Sequence, residues 1–408
     1  MKHRGKETRA DVIVAGAGFV GLALGAALAR AGFEVAICDP ALARAAPRDP
    51  RASTLVAGAR HLLEALGAWE AVASEAQEIR RMEISDSRLA EVMRPVMLTF
   101  AGDGEAGEPV AHVAPNGVIR DALFAAAEAA GVNFVASAIS GTETSGARAV
   151  AELADGSAMS ASLLVAAEGA NSPLRKQAKI KTQGWRYDQT AIVTTIALEH
   201  DHDGIAIQHF LEGGPFALLP LPGQRASVVW AERRLHAERL YALDDTGFRA
   251  ALQERAGYRF GEIALDGPRA MRPLSLQVAK SFVGTRLALI GDAAHVTHPI
   301  AGQGLNIGLR DVAALAEAAA DAARLGGDIG AHHVLDRYER WRRFDTMLML
   351  AAMDGLLKLF SLRAPPARLA RDAGMGVFDR MPAVKGAVMR SAAGLSGDVP
   401  RLLRGEQL

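Results

Sequence analysis

Gly16-Ala-Gly18-Phe-Val-Gly21 most constrains what this chain can fold into, because of what flanks it. The apolar run at 11–15 (DVIVA) precedes it, a helical pattern to Arg30 follows, and a second strand-like run at 34–38 (EVAIC) ends on Asp39. Strand, glycine turn, helix and strand predict the βαβ opening of a doubly wound domain. Gly16 permits the tight turn, Gly18 lets backbone approach a pyrophosphate, and Gly21 lets the helix pack close to the sheet. Amide groups at the helix start then face the phosphates. Asp39 stands 23 positions after Gly16, where a carboxylate can accept ribose hydroxyls. An acid there favours an unphosphorylated ribose, so FAD or NAD rather than NADP.

Two more glycine-bearing stretches end apolar runs. Residues 163–167 (LLVAA) lead into Glu168-Gly169, and residues 286–290 (RLALI) lead into Gly291-Asp292. Asp292 can accept from hydroxyls of a ribityl chain. Pro299 and Gly302-Gln303-Gly304-Leu305-Asn306 follow, opening a helix whose free amides favour negative charge. A reduced flavin carries negative charge at its N1–C2=O edge. These glycines would let backbone reach the face of a flat ring.

Between these stretches the pattern changes. Residues 190–230 hold four strand-like runs separated by Gly-Gly-Pro and Pro-Gly, which predicts a sheet inserted into the α/β domain. Residues 53–66 and 116–130 read as helices, residues 41–50 as a surface loop, and almost everything after Asp311 as helix. The predicted fold class is α/β: a Rossmann-like FAD-binding domain, an inserted mostly antiparallel β-sheet substrate domain and a helical C-terminal region. The expected division is 9–80, 111–178 and 275–330 for FAD, 81–110 and 179–274 for substrate, and 331–408 for the C-terminal helices.

Lys plus Arg and Asp plus Glu both number 46, so the net charge gives no reason to expect nucleic acid as a partner. One cysteine excludes an internal disulfide and suits a reducing compartment. No signal-peptide pattern precedes the first strand and no long uncharged apolar run exists, so a cytoplasmic location is expected. No His/Cys/Asp cluster has metal-ligand spacing, so no metal is expected.

The three stretches together resemble the GxGxxG, DG and GD motifs of the class A flavoprotein aromatic hydroxylases, the p-hydroxybenzoate hydroxylase fold. Residues 298–311 (HPIAGQGLNIGLRD) resemble the signature of the ubiquinone-biosynthesis monooxygenases of UbiH/VisC type, and the likeness covers nearly the entire chain. One departure is Glu168, where that family has aspartate. The resemblance implies FAD as cofactor, NAD(P)H as reductant and O₂ as co-substrate. It also implies oxygen addition at flavin C4a and transfer of the terminal peroxide oxygen to an aromatic ring. Arg51 is carried over as a residue near the flavin, with Arg120 as a second candidate and Arg175 balanced between a site role and an ordinary arginine.

The implied substrate is a polyprenylated phenol of ubiquinone biosynthesis. An apolar wall over the flavin is expected from Phe210, Phe216, Leu218, Pro220 and Trp230, each of which also suits plain sheet core. No residue stands out as a catalytic base; His209, His295 and His298 read better as structural. The pocket segments show little fixed positive charge, which favours a neutral prenylated phenol over a benzoate. A hydroxylase of a small soluble phenol and a non-catalytic flavoprotein scaffold are the alternatives. Residues 347–353 and 356–360 are apolar enough to face a membrane peripherally, a partner subunit of a biosynthetic complex, or the core.

Overall fold

The computed structural model describes residues 8–43, 49–87, 89, 94–102, 109–362 and 365–408. The N-terminal seven residues and positions 44–48 of the expected 41–50 loop lie outside these. The sheet expected from the first motif has six strands. Across it run Val283–Gly284, Leu287–Leu289, Leu163–Ala166, Val12–Ala15, Val35–Cys38 and Asn133–Val135, the first contact antiparallel and the other four parallel. Its central strands are buried on both faces, which explains their unbroken apolar runs. Helix Phe19–Arg30 covers one face, with Leu22, Leu24 and Leu28 fully buried. Cys38 sits at the end of the second strand, and burial pushes its thiol up to about 11.

A nine-stranded sheet adjoins it. Strand Thr182–Leu198 pairs antiparallel with Arg225–Arg233 and with Ala270–Ala279. Ile205–Leu211, Gly214–Leu221 and the separate segments Arg81–Asp86 and Leu98–Ala101 extend it. The two sheets meet where His295–Val296 pairs with Gln277 and Val278, directly after the Gly291–Ala293 turn. The third glycine stretch therefore lies at the junction between the sheets.

Residues 53–66 are not one helix. Ala52–Leu55 is a strand paired with Ala111–Pro115, and the helix begins at Ala57. Leu55 completes an apolar spacing that looks helical, but the β-branched Thr54 before it belongs to the sheet. After the third glycine stretch come the helices Gln303–Arg324, His332–Ser361, Pro365–Asp379 and Pro382–Ala393. None among the described residues is long and apolar enough to cross a membrane.

Candidate active site

The first glycine turn is built by close backbone approach. Gly16 has φ +106°, and a side chain on Gly21 would collide with the Gly16 carbonyl. A side chain on Gly18 would meet nothing, so that position faces open space. Asp39 accepts from the Ala17 N–H at 2.8 Å and from the Ala41 N–H at 2.7 Å. Its carboxylate holds the glycine turn against the end of the second strand.

From that turn a cavity of about 480 Å³ runs to the floor of the nine-stranded sheet. Gly18, Arg51, Gly169, Gly291, Asp292, Pro299, Gly302, Gly304 and Leu305 line it, drawn from all three glycine stretches. Asp292 exposes itself to this space while protein surrounds it on the other sides; burial raises its carboxyl, and His295 and Arg51 oppose the shift. Arg51 is fixed by Asp49 at 2.6 Å, and Asp49 also accepts from Asn116 Nδ2 at 2.9 Å.

The floor shows why none of the five expected wall residues lines it. Side chains alternate between the faces of a strand. Phe216, Leu218 and Trp230 point away from the cavity into a core closed by helices Arg234–Tyr241 and Asp245–Ala256. Pro220 pairs with Ala226, a residue of that same core. Ala191, Val193, Ala217, Leu219 and Val229 form the floor instead. Phe210 is on the cavity side of its strand, but it stacks on Phe360 with ring centroids 3.7 Å apart and lines a second cavity. Both faces are apolar, so hydropathy alone could not assign them.

Helix Gln303–Arg324 starts at the cavity. Gly302 is left-handed at φ +62°, and a β-carbon there would lie 2.8 Å from Thr54 Oγ1. No side chain caps the helix, and its first turn holds no acid, so its free N–H groups present partial positive charge. Asn306 sits behind the loop, donating to Thr54 O at 2.9 Å and Gly302 O at 3.1 Å, and accepting from Val56 N–H. Gln303 is buried with Oε1 unpartnered, as is Thr54 Oγ1. His298 is buried with both ring nitrogens unpartnered, and burial lowers it to about 4, so it is neutral near pH 7.

Other candidates are turned aside. Glu168 accepts from Ser172 Oγ at 2.6 Å and the Leu174 N–H at 3.1 Å, capping a short helix; burial raises its carboxyl. Arg175 donates to the carbonyls of Ala293 and Ala170, bracing the second and third stretches against each other. Arg120 pairs with Asp121 at 2.6 Å and does not line the cavity. His295 donates its Nε2–H to the Asp311 carboxylate at 2.6 Å, a structural contact.

Sequence reasoning missed Ser53, Thr54, Asn116, Gln208 and Arg272, all of which line the cavity. Arg272 corrects the expectation of a pocket without an arginine. It lies opposite Ala191 in the register, and its guanidinium donates to the Met271 carbonyl. It comes from strand Ala270–Ala279, outside the segments read as pocket walls, so only the pairing register reveals it.

The geometry fits FAD. Glycines leave room at the turn, buried polar atoms stand unpartnered beside the Gly302 loop, and an uncapped helix start faces the same space. A model of the family described as FAD binding domain matches residues 9–351. Ubiquinone hydroxylase UbiL of Rhodospirillum rubrum is 40% identical over 98% of this chain and 94% of that protein. The 3-demethoxyubiquinol 3-hydroxylase of Escherichia coli is 32% identical over 94% of this chain and 98% of that one. The p-nitrophenol 4-monooxygenase PnpA of Pseudomonas putida has the same fold, with a TM-score of 0.78 at 17% identity over 96% of this chain and all of that one. Fold and site define an FAD-dependent monooxygenase of the class A flavoprotein hydroxylases. Within that class, the chain belongs to the ubiquinone-biosynthesis FAD monooxygenase family.

Proposed function

We propose that this enzyme hydroxylates the ring of a polyprenylated phenol on the way to ubiquinone, in the cavity above the floor strands. One observation carries the reading: a single cavity joins the glycine turns to an apolar floor of Ala191, Val193, Ala217, Leu219 and Val229. The names of the two relatives support ubiquinone precursors as the substrate class.

FAD, when bound, takes electrons from NAD(P)H and activates O₂. The chain's own residues do the rest. Gly16, Gly18 and Gly21 would admit the pyrophosphate, and Asp39 would keep lone pairs for a ribose while holding the turn. Arg51, Gly169, Gly291 and Asp292 would line the path of the dinucleotide. Pro299, Gly302, Gly304 and Leu305 would hold the ring, supported by Gln303 and Asn306 from behind. The helix start would favour negative charge on the group it faces. The apolar floor orients the phenol and excludes water. Segments 9–80, 111–178 and 275–330 make the FAD part, 81–110 and 179–274 the substrate part, and 331–408 a helical cover whose outer side meets a membrane or a subunit of a biosynthetic complex.

Arg272 favours a second reading, a smaller phenol or benzoate carrying an anion that the guanidinium would pair. Gene deletion followed by mass spectrometry of quinones and precursors separates the two. The polyprenyl reading expects ubiquinone to disappear and a prenylphenol lacking one oxygen to accumulate. Unchanged ubiquinone with no such precursor, in a host without a redundant hydroxylase, would support the smaller substrate.

A further inference from the structure

The long helix His332–Ser361 is apolar on the side that faces outward. Its buried face is Arg342, Thr346, Leu350, Met353, Asp354 and Leu357. Its outward face carries Phe344 (77% exposed), Met347, Leu348, Leu356 and Leu359, and Leu362 just beyond its end continues the stripe. Exposed Ala351, Ala352 and Gly355 bridge the interval between Leu348 and Leu356, so these positions share one side of the helix, roughly 27 Å long at 1.5 Å per residue. A monomer rarely leaves so long a stripe uncovered without a use for it.

The more exposed charges beside the stripe are basic. Between Arg340 and Leu362 the exposed charged residues are Arg340, Arg343 and Lys358. The acids lie lower: Asp345 pairs with Arg342, Asp354 accepts from Tyr187 and pairs with Lys358, and Glu339 pairs with Arg343. At the far end Lys358 lies over the ring of Trp185, which is 46% exposed. Arg186 is exposed in the same strand as Trp185, and Lys179, Lys181 and Lys280 are exposed just beyond the ends of that strand and its partner. Asp188 is the exposed acid among them, and it lines the second cavity. Residues 331–408 as a whole carry 13 Lys and Arg against 8 Asp and Glu.

Beside Trp185 lies the second cavity, about 470 Å³, lined by Leu357, Lys358, Phe360 and Ser361 from the same helix end. A thin partition divides it from the first. Phe210 faces the second cavity, and Gln208, two residues earlier in the same strand, faces the first. Tyr187 lines the second cavity and meets the ring of His298 edge-on at 5.3 Å, while Thr297 and Pro299 on either side of His298 line the first.

We propose that the outward face of helix His332–Ser361, with the basic rim around Trp185, docks on an anionic lipid bilayer and holds the mouth of the second cavity against it. Apolar side chains enter the acyl boundary, lysine and arginine meet lipid phosphates, and an exposed tryptophan suits the interface between them. A second copy of this chain fits the face less well. A two-fold contact would set a stripe with exposed cations against its own like charges. The proposal rests on the lipid-tailed substrate inferred above, and it names the side from which that substrate arrives.

The test uses the FAD-loaded full chain, co-sedimented with vesicles of phosphatidylcholine alone or with one third phosphatidylglycerol. Binding is expected to the anionic vesicles, to weaken at least tenfold in 0.5 M salt, and to fall at least tenfold in F344E/L348E. That variant should keep its flavin absorbance and its turnover of a short-tailed, water-soluble prenylphenol. Brominated lipid should quench a tryptophan signal that W185F lacks. Absence of sedimentation with either vesicle would overturn the proposal, as would wild-type binding by F344E/L348E. So would an oligomer that this double variant splits, seen by light scattering, with no vesicle binding. Intact vesicle binding with no turnover of the phenol would count against the substrate reading and leave the docking standing.

Discussion

Asp311, deep in helix Gln303–Arg324, accepts the N–H of Gly291, the first residue of the Gly291-Asp292 turn, at 3.0 Å. The same carboxylate pairs with His295 at 2.6 Å and with Arg342 Nε at 2.9 Å, and it is fully buried. One side chain thus ties the cavity-lining turn to the helix start that faces it and to the C-terminal helix. These partners hold its carboxyl below the usual range against the opposing effect of burial.

Asp311→Ala should therefore destabilise the protein by about 3–5 kcal/mol, because it leaves Arg342 buried and short of its partner. Urea unfolding of the apoprotein gives the stability. Absorbance at the flavin band after gel filtration should show that the variant also releases FAD.

Gly18→Ala and Gly21→Ala should separate folding from cofactor binding. A methyl at 21 collides with the Gly16 carbonyl, whereas a methyl at 18 meets only the cavity. The apoprotein of Gly18→Ala should melt within a degree or two of the wild type, and that of Gly21→Ala well below it. Both should lose FAD affinity by tenfold or more, read by flavin fluorescence titration.

Leu218 and Leu219 are chain neighbours on opposite faces of one strand, one in the core and one on the cavity floor. Leu218→Ala should cost about 2–5 kcal/mol of stability through the cavity it leaves. Leu219→Trp should instead leave FAD bound and lower kcat/KM for the phenol at least tenfold by filling substrate space. Equal effects of the two changes on catalysis would show that the floor is not where substrate binds.

The same strand shows how far the sequence could be read. Fold class and cofactor were legible because each glycine stretch followed an apolar run and the three came in order. The two sides of the floor were not. Phe216 and Ala217 are both apolar, and which one meets substrate depends on helices packing from the other side. Arg272 was hidden for a related reason, since it reaches the cavity only through its register with Ala191. Glu168 was legible as a departure, but its use as a helix cap was not, because Ser172 and Leu174 look unremarkable in sequence.

Two buried histidines should make the enzyme acid-labile. Burial lowers His298 to about 4 and His209 to about 3, against an ordinary value near 6.5. Below pH 6.5 the unfolded chain takes up these protons and the folded one does not. Stability therefore falls as pH drops from 6.5 toward 4, by about 1.4 kcal/mol per pH unit for each histidine. Tm recorded between pH 7.5 and 4.5 should fall steadily below 6.5, and less steeply in His209→Gln. Parallel curves for the two proteins would show that His209 is already protonated in the fold.

An enzyme that brings O₂ to a reduced flavin sheds hydrogen peroxide whenever substrate is absent or badly seated. Thiolates are the first protein groups such an oxidant takes, and a thiol is attacked only in proportion to its ionised fraction and its exposure. Cys38, the only cysteine in the chain, is buried at the end of the second strand and held protonated far above neutral pH. The catalyst can therefore idle without losing a thiol to its own by-product. A cysteine placed at will on its surface would be the single reactive handle for a spin label or a dye.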